Sequence, residues 1–495
     1  TSHRRPEIAA RLTGARPLTM LSPKYDLGKA CEPQKRENAN PRRARHVKPL
    51  PHIICNTAVT PLALFAMTIL LIPAAHGAPE ETDAKPRKEP DRIHAIPDEQ
   101  PLGRWRVAPA ARDEDLSAEQ LEMVEQLEAL GYAAGTTLAK DSYGVTAFNE
   151  QSAHPGLNLY TSGHAAEALL MDMKGNVVHR WYCEFAKVWP KRNAEFQREG
   201  SASFRRAKVL PNGDLIAIYE GAGIIKLDRD SNLVWSNSIL AHFFFNDTAT
   251  TEIYTLSRVA HMLPRLDEEH PILEDFVSIL TPEGRERKRI SLIECFENSD
   301  YAHIVSRRNK QYGDIFHTNT LEVLDGRIAD QAPAFQDGRI LTSLLVPSVI
   351  AVIDIDARTV PWIHRGDYRQ QHDPQILTNG NMLLFDNRGS YPHSVVMEMA
   401  PPTWETMWEY RGSERTPFYT RTCGSAQRFP NGNTLIVESD NGRAFEVTPA
   451  KEIVWEYVSP HRAGDQNELV ATLFDLYRLP AEYFADEWPE IAQSR

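Results

Sequence analysis

One pattern is written six times along this chain: an alternating apolar strand, a turn, a second strand, then a tryptophan or its replacement. The second halves of the copies are ALLMDMKGNVVHRW (ending at Trp181), GIIKLDRDSNLVW (Trp235), FVSILTPEGRERKRI (Ile290), IAVIDIDARTVPW (Trp362), VVMEMAPPTWETMW (Trp408) and AFEVTPAKEIVW (Trp455). Strand-built units repeating at roughly fifty residues define propeller blades. The first halves read KVLPNGDLIAIY, QILTNGNMLLFDN and QRFPNGNTLIVES, with TLEVLDGRIAD as a divergent copy. Asn-Gly between apolar runs supplies the positive φ that a tight hairpin needs. The count predicts an all-β fold, a six-bladed β-propeller spanning 143–488. The segment after Trp455 is expected to return and close the ring, because propellers hide their edge strands.

Two stretches depart from the pattern. Between Ile290 and Trp362 lies an insertion, SLIECFENSDYAHIVSRRNKQYGDIF, expected as a helix-containing loop at a channel mouth. Phe243 to Ser257, FFFNDTATTEIYTLS, shows no strand alternation where a hairpin belongs. It also resembles translated sequencing-adapter sequence, and on that reading the native residues of this stretch are missing.

The rest of the chain is organised differently. Residues 1–56 are rich in Arg, Lys and Pro without apolar periodicity, which predicts a disordered basic leader. Residues 57–78 hold an apolar run, TAVTPLALFAMTILLIPAA, followed by small residues. This reads as a signal peptide cleaved near Gly77 or Ala78, so that the protein is exported to the periplasm or outside. An uncleaved membrane anchor through 57–75 is the alternative reading. Residues 79–142 read as a linker holding a short amphipathic helix, with Leu121, Val124, Leu127 and Leu130 at helical spacing. The net charge of −12 argues against a nucleic-acid partner. Beyond the leader, Cys183, Cys295 and Cys423 are an odd, scattered set with no metal-ligand or disulfide spacing.

A propeller has one central concavity, so chemistry is sought where the innermost strands begin. Polar residues recur there: Arg205-Arg206, then His242, then His317-Thr318-Asn319, then Gln370-Gln371-His372-Asp373. Equivalent positions converge on the axis, which brings His317 and His372 into one pocket. A neutral imidazole is a nucleophile and proton acceptor near neutral pH. His242 and Asp373 are the residues that would complete a metal set there, but no metal and no other cofactor is expected.

The strings QQHDPQILTNGNMLLFDN, GSAQRFPNGNTLIVESDNGRAFEVTP and FHTNTLEVLDG resemble the arylsulfotransferase family, the PAPS-independent aryl-sulfate sulfotransferases and their relatives. The similarity covers roughly 143–488 and is strongest from His317 to Trp455. It implies a six-bladed propeller and transfer of a sulfuryl group from an aryl sulfate to a phenol through a sulfohistidine. By motif, His372 matches the nucleophile, while His317 and Asn319 match residues that hold the sulfate oxygens. Two departures stand out. Leu345 holds the place of a family Arg, and only His242 remains of a His-His-Asp pattern. Arg388 and Arg206 are the cations that would compensate at the substrate, alongside His242. The rival functions are a ligand-binding propeller without turnover and a quinone-dependent dehydrogenase. The latter calls for axial metal ligands and a stacking Trp that the sequence does not display.

Overall fold

The computed structural model describes residues 137–191, 203–219, 221–246, 252–306, 313–387, 393–463 and 468–493. The leader, the apolar run, the amphipathic helix and Arg388 lie outside the described residues.

Local chemistry builds each blade from a hairpin whose turn is written in the sequence. In the PNGD, TNGN and PNGN turns, Gly213, Gly380 and Gly432 have φ of 88°, 86° and 87°. Their N–H groups donate back to Leu210, Leu377 and Phe429. Asn212, Asn379 and Asn431 each accept from the backbone N–H two residues on. Three blades therefore use one turn, closed by an Asn side chain and a left-handed Gly.

Among the described residues the strands form six large antiparallel sheets. In blade 1 the innermost strand, Leu473–Leu479, is followed outward by Leu157–Ser162, Glu167–Met171 and Val177–Tyr182. The C-terminal strand thus lies beside the N-terminal ones, which is the expected closure of the ring. Blade 2 begins with Phe204–Val209, blade 3 with Ala241–Asn246 and blade 4 with Thr318–Val323. Blade 5 begins with His372–Ile376 and blade 6 with Ser425–Arg428. Each of these strands contacts the innermost strand of the next blade, and the circle closes from blade 6 to blade 1. Gly144–Phe148 adds a fifth, outermost strand to blade 6.

The repeated tryptophan is a latch between blades. Trp181 Nε1 donates to the carbonyl of Gly213 in the next blade's turn at 2.9 Å. Trp235 does the same to Pro282, Trp408 to Pro449, and Trp455 to Met173 across the closure. A large apolar ring fills the space between blades while its one donor satisfies a turn carbonyl. The latch also explains Gly284, where a Cβ would lie 2.5 Å from the Trp235 ring. In blade 4, Trp362 packs instead against Phe335 and Trp404.

The two departures from the pattern resolve differently. The insertion does form helices, Leu292–Glu297 and His303–Ser306. Ser291 caps the first through its side chain, and Leu292, Ile293, Cys295 and Phe296 are buried in the core shared by blades 3 and 4. The described ends of the stretch without alternation nevertheless pair as antiparallel strands, with Phe243 opposite Leu256 and Asn246 opposite Ile253. Its Phe, Thr, Ile and Tyr residues are strand formers, and that propensity suffices without period two.

Candidate active site

Register places the axial residues. Counting back four residues from the last paired residue of each innermost strand gives one position per blade: Asp475, Arg205, His242, Asn319, His372 and Gly424. His317 lies two residues before the blade 4 position, at the mouth of the strand. The electrostatic influence of His317 reaches His372.

Backbone conformation is unusual at this rim. His317, Gln370, Asp373 and Cys423 all have positive φ, between 50° and 56°. L-residues avoid this region, so these four backbones are held by their surroundings.

His372 is held in one tautomer. Its Nδ1 lies 2.9 Å from the carbonyl of Gln370 and 2.7 Å from Asn387 Oδ1. Asn387 is itself fixed, since its amide donates to the carbonyls of Thr420 and Cys423 at 3.2 and 2.7 Å. Both partners of Nδ1 are therefore acceptors, Nδ1 must carry the proton, and Nε2 keeps its lone pair. Burial lowers the His372 pKa to about 4. Asn387 and Gln370 oppose this shift, while the neighbouring His317 and Arg205 reinforce it. The side chain is neutral at physiological pH, with a lone pair free on Nε2.

Polar groups surround it. Asp314 accepts from the backbone N–H of His317 at 2.8 Å, and its other oxygen lies 2.7 Å from His317 Nδ1. Asn319 donates to the carbonyl of Gln371 at 2.9 Å, tying blade 4 to the residue before His372. Buried Ser343 donates to the same carbonyl at 3.0 Å. Arg205 reaches Cys423 Sγ at 3.0 Å and lies over the Phe474 ring. Arg206 turns to Asp475 at 3.0 Å, and its charge bears on Asp373. Burial raises Asp373 to about 6, with Arg206 opposing. Leu345 donates its N–H to the His317 carbonyl at 3.3 Å. The His242 backbone lies at the equivalent position in blade 3.

Sequence reasoning passed over Asn387, Asp314 and the reach of Arg205. Asn387 directly follows an apolar strand and Asp314 precedes His317 by three residues, spacings that were legible as side-chain partners.

Six four- or five-stranded sheets closed into a ring define the class of the protein, a six-bladed β-propeller. Residues 274–460, less than half of the chain, match the family model described as Arylsulfotransferase (ASST), and the match runs from within the third blade into the sixth. No curated protein matches the sequence. Solved structures match at low identity. A Bacteroides caccae protein of unknown function is 10% identical, with a TM-score of 0.40 over 65% of this chain and 98% of that one. Virginiamycin B lyase from Staphylococcus aureus is 8% identical, with a TM-score of 0.35 over 65% of this chain and 90% of that one. The Myceliophteria thermophila Cps50 (Swd1) β-propeller domain is 10% identical, with a TM-score of 0.37 over 69% of this chain and all of that one. Scores this low carry no argument for function. Among the described residues no helix is long and apolar enough to cross a membrane.

Proposed function

We propose that the protein transfers a sulfuryl group from an aryl sulfate to a phenol through a sulfohistidine on Nε2 of His372. The observation that carries this reading is the fixed tautomer of His372, neutral beside positive charge. In the first half-reaction Nε2 attacks sulfur in line, the S–O bond to the aryl group breaks, and the phenoxide departs. His317, oriented by Asp314, lends it a proton. In the second, the acceptor phenol attacks the same sulfur, the N–S bond breaks, and His317 recovers a proton from the acceptor. Asn319, His317 and Arg205 are the proposed stabilisers of the charge that shifts over the sulfuryl oxygens and the leaving group. Arg206, Arg388 and His242 complete the proposed substrate surroundings. The basic leader and the apolar run at 57–78 support export, with small phenolic partners met outside the cytoplasm.

Leu345 favours one rival, a propeller that binds aryl sulfates without turning them over. A guanidinium at that position would add a bidentate anion donor beside His317. Incubation with p-nitrophenyl sulfate and a phenol separates the readings. Transfer predicts nitrophenol release, acid-labile sulfation of His372, and loss on the order of a thousandfold or more in His372→Ala. Binding without release supports the rival, and equal release by His372→Ala overturns the sulfohistidine.

A further inference from the structure

Away from His372, blade 1 and the chain leaving blade 6 bring together a second cluster of ligating side chains. His164 sits in the turn after the strand ending at Ser162, and Glu167 opens the next strand. His461 comes from the segment after the outer strand of blade 6. One ligand atom from each of the three lies within 4.8 Å of the others. Glu167 is buried and both histidines are partly buried.

The surrounding bonds are those of a prepared metal site. Ser162 Oγ meets His164 Nδ1, so that Nε2 of that ring is the atom presented to the cluster. Nε2 in turn meets Glu167 Oε1. A proton held between an imidazole and a carboxylate stands where a divalent cation binds, and the cation displaces it. Arg180 takes the other oxygen, Oε2, which leaves Glu167 as a single-oxygen ligand. Tyr160 Oη lies 3.1 Å from Nε2 of His461 and orients that ring. Ser162 and Tyr160 thus stand as outer partners that fix the ligand rings.

The two rings are stacked, with centroids 3.4 Å apart and planes 7° from parallel. Parallel rings direct their lone pairs along parallel lines, so one must turn about χ2 to share an ion. A tetrahedral zinc ion with bonds of about 2.0–2.1 Å sets its ligand atoms roughly 3.3 Å apart, so closure is a small side-chain movement. We propose that His164, Glu167 and His461 form a zinc(II) site with three protein ligands and one open coordination position. Two imidazoles and one carboxylate are a donor set suited to that ion. The site lies on the same face of the ring as His372. Gly163 lies against Phe474, and the Arg205 guanidinium covers the other contact of that ring.

The test is metal binding by the whole protein. Chelator-stripped protein is titrated with zinc(II) by calorimetry, with bound metal counted after dialysis and cobalt(II) used for its visible spectrum. The expected result is one zinc per chain, a tetrahedral cobalt spectrum, and a raised melting temperature. His461→Ala, His164→Ala and Glu167→Gln should each lose the site, while Tyr160→Phe should weaken it about 10- to 100-fold. His372→Ala should bind zinc as the wild type does. Should His164→Ala fail to fold, His461→Gln serves in its place. No stoichiometric zinc, or undiminished binding by His461→Ala, overturns the proposal, as does loss of the metal in His372→Ala.

Discussion

At the scale of single residues, the defining feature is an imidazole whose proton has been assigned by its neighbours. Asn387 Oδ1 and the Gln370 carbonyl both hold Nδ1–H of His372, and burial keeps the ring neutral to about pH 4. The acid limb of kcat/KM should therefore have its midpoint near 4 instead of near 6.5, the ordinary value for His. Asn387→Asp places a carboxylate where the amide oxygen stands, favours the imidazolium, and should move that limb upward to 6.5 or beyond. Asn387→Ala leaves no charge but frees the ring, and should cost about 10- to 100-fold in kcat/KM. A pH–rate profile decides both, and an acid limb unmoved by Asn387→Asp would show that Asn387 does not govern the nucleophile. Linkage gives the same histidine a second signature. A His with a depressed pKa contributes stability that is complete above about 6.5 and is lost as pH falls toward 4. His461 adds to that loss over the same interval.

At the scale of strands and turns, the sequence was legible wherever one hairpin carried the information. The Asn-Gly turns, the repeated tryptophans and the number of blades all follow from local pattern. Which of two adjacent polar residues faces the axis did not. Arg205 and Arg206 look interchangeable, yet the register shifts between Phe204 and Arg206. The result is that Arg205 bears on His372 while Arg206 pairs with Asp475. A bulge also separates Thr318 from Thr320, which puts Asn319 at the position equivalent to His372 and leaves His317 at the rim. Bulges reverse side-chain parity without any fixed residue signature. The stitches between blades were equally hidden, because they join residues about fifty apart. Glu322 is one: it accepts the N–H of Ile376 in the next blade. Burial raises its pKa to about 8. An acid with a raised pKa favours the fold at low pH and loses that contribution as pH rises from about 4.5 toward 8. Glu322→Gln keeps an acceptor without the ionisation. Its melting temperature relative to wild type should rise between pH 5 and pH 9, and a constant difference would show that Glu322 ionises without cost.

At the scale of the whole molecule, the ring holds only if its last strand returns to blade 1. Leu473–Leu479 supplies the innermost strand there, and its Arg478 is the hub of the seam. The guanidinium is fully buried, pairs with fully buried Glu446 of blade 6, and donates to Asn158 Oδ1 and the His154 carbonyl. It also lies over the Trp455 ring at 4.8 Å, and Trp455 latches blade 6 to Met173 of blade 1. One side chain thereby joins the first and last blades by charge, hydrogen bond and aromatic contact. Removing one member strands the other: Arg478→Met should cost about 3–5 kcal/mol, because the Glu446 carboxylate is left buried and unpaired. The double change Arg478→Met with Glu446→Leu removes both charges and should recover much of that loss, since a buried ion pair is often no better than apolar packing of similar volume. Trp455→Ala should cost a comparable 3–5 kcal/mol through the cavity it leaves, roughly as other large-to-small aromatic changes do. Melting temperatures of the four proteins check the scheme. If the double variant is no more stable than Arg478→Met alone, the seam depends on the hydrogen bonds of Arg478 to Asn158 and His154 and not on its charge balance with Glu446.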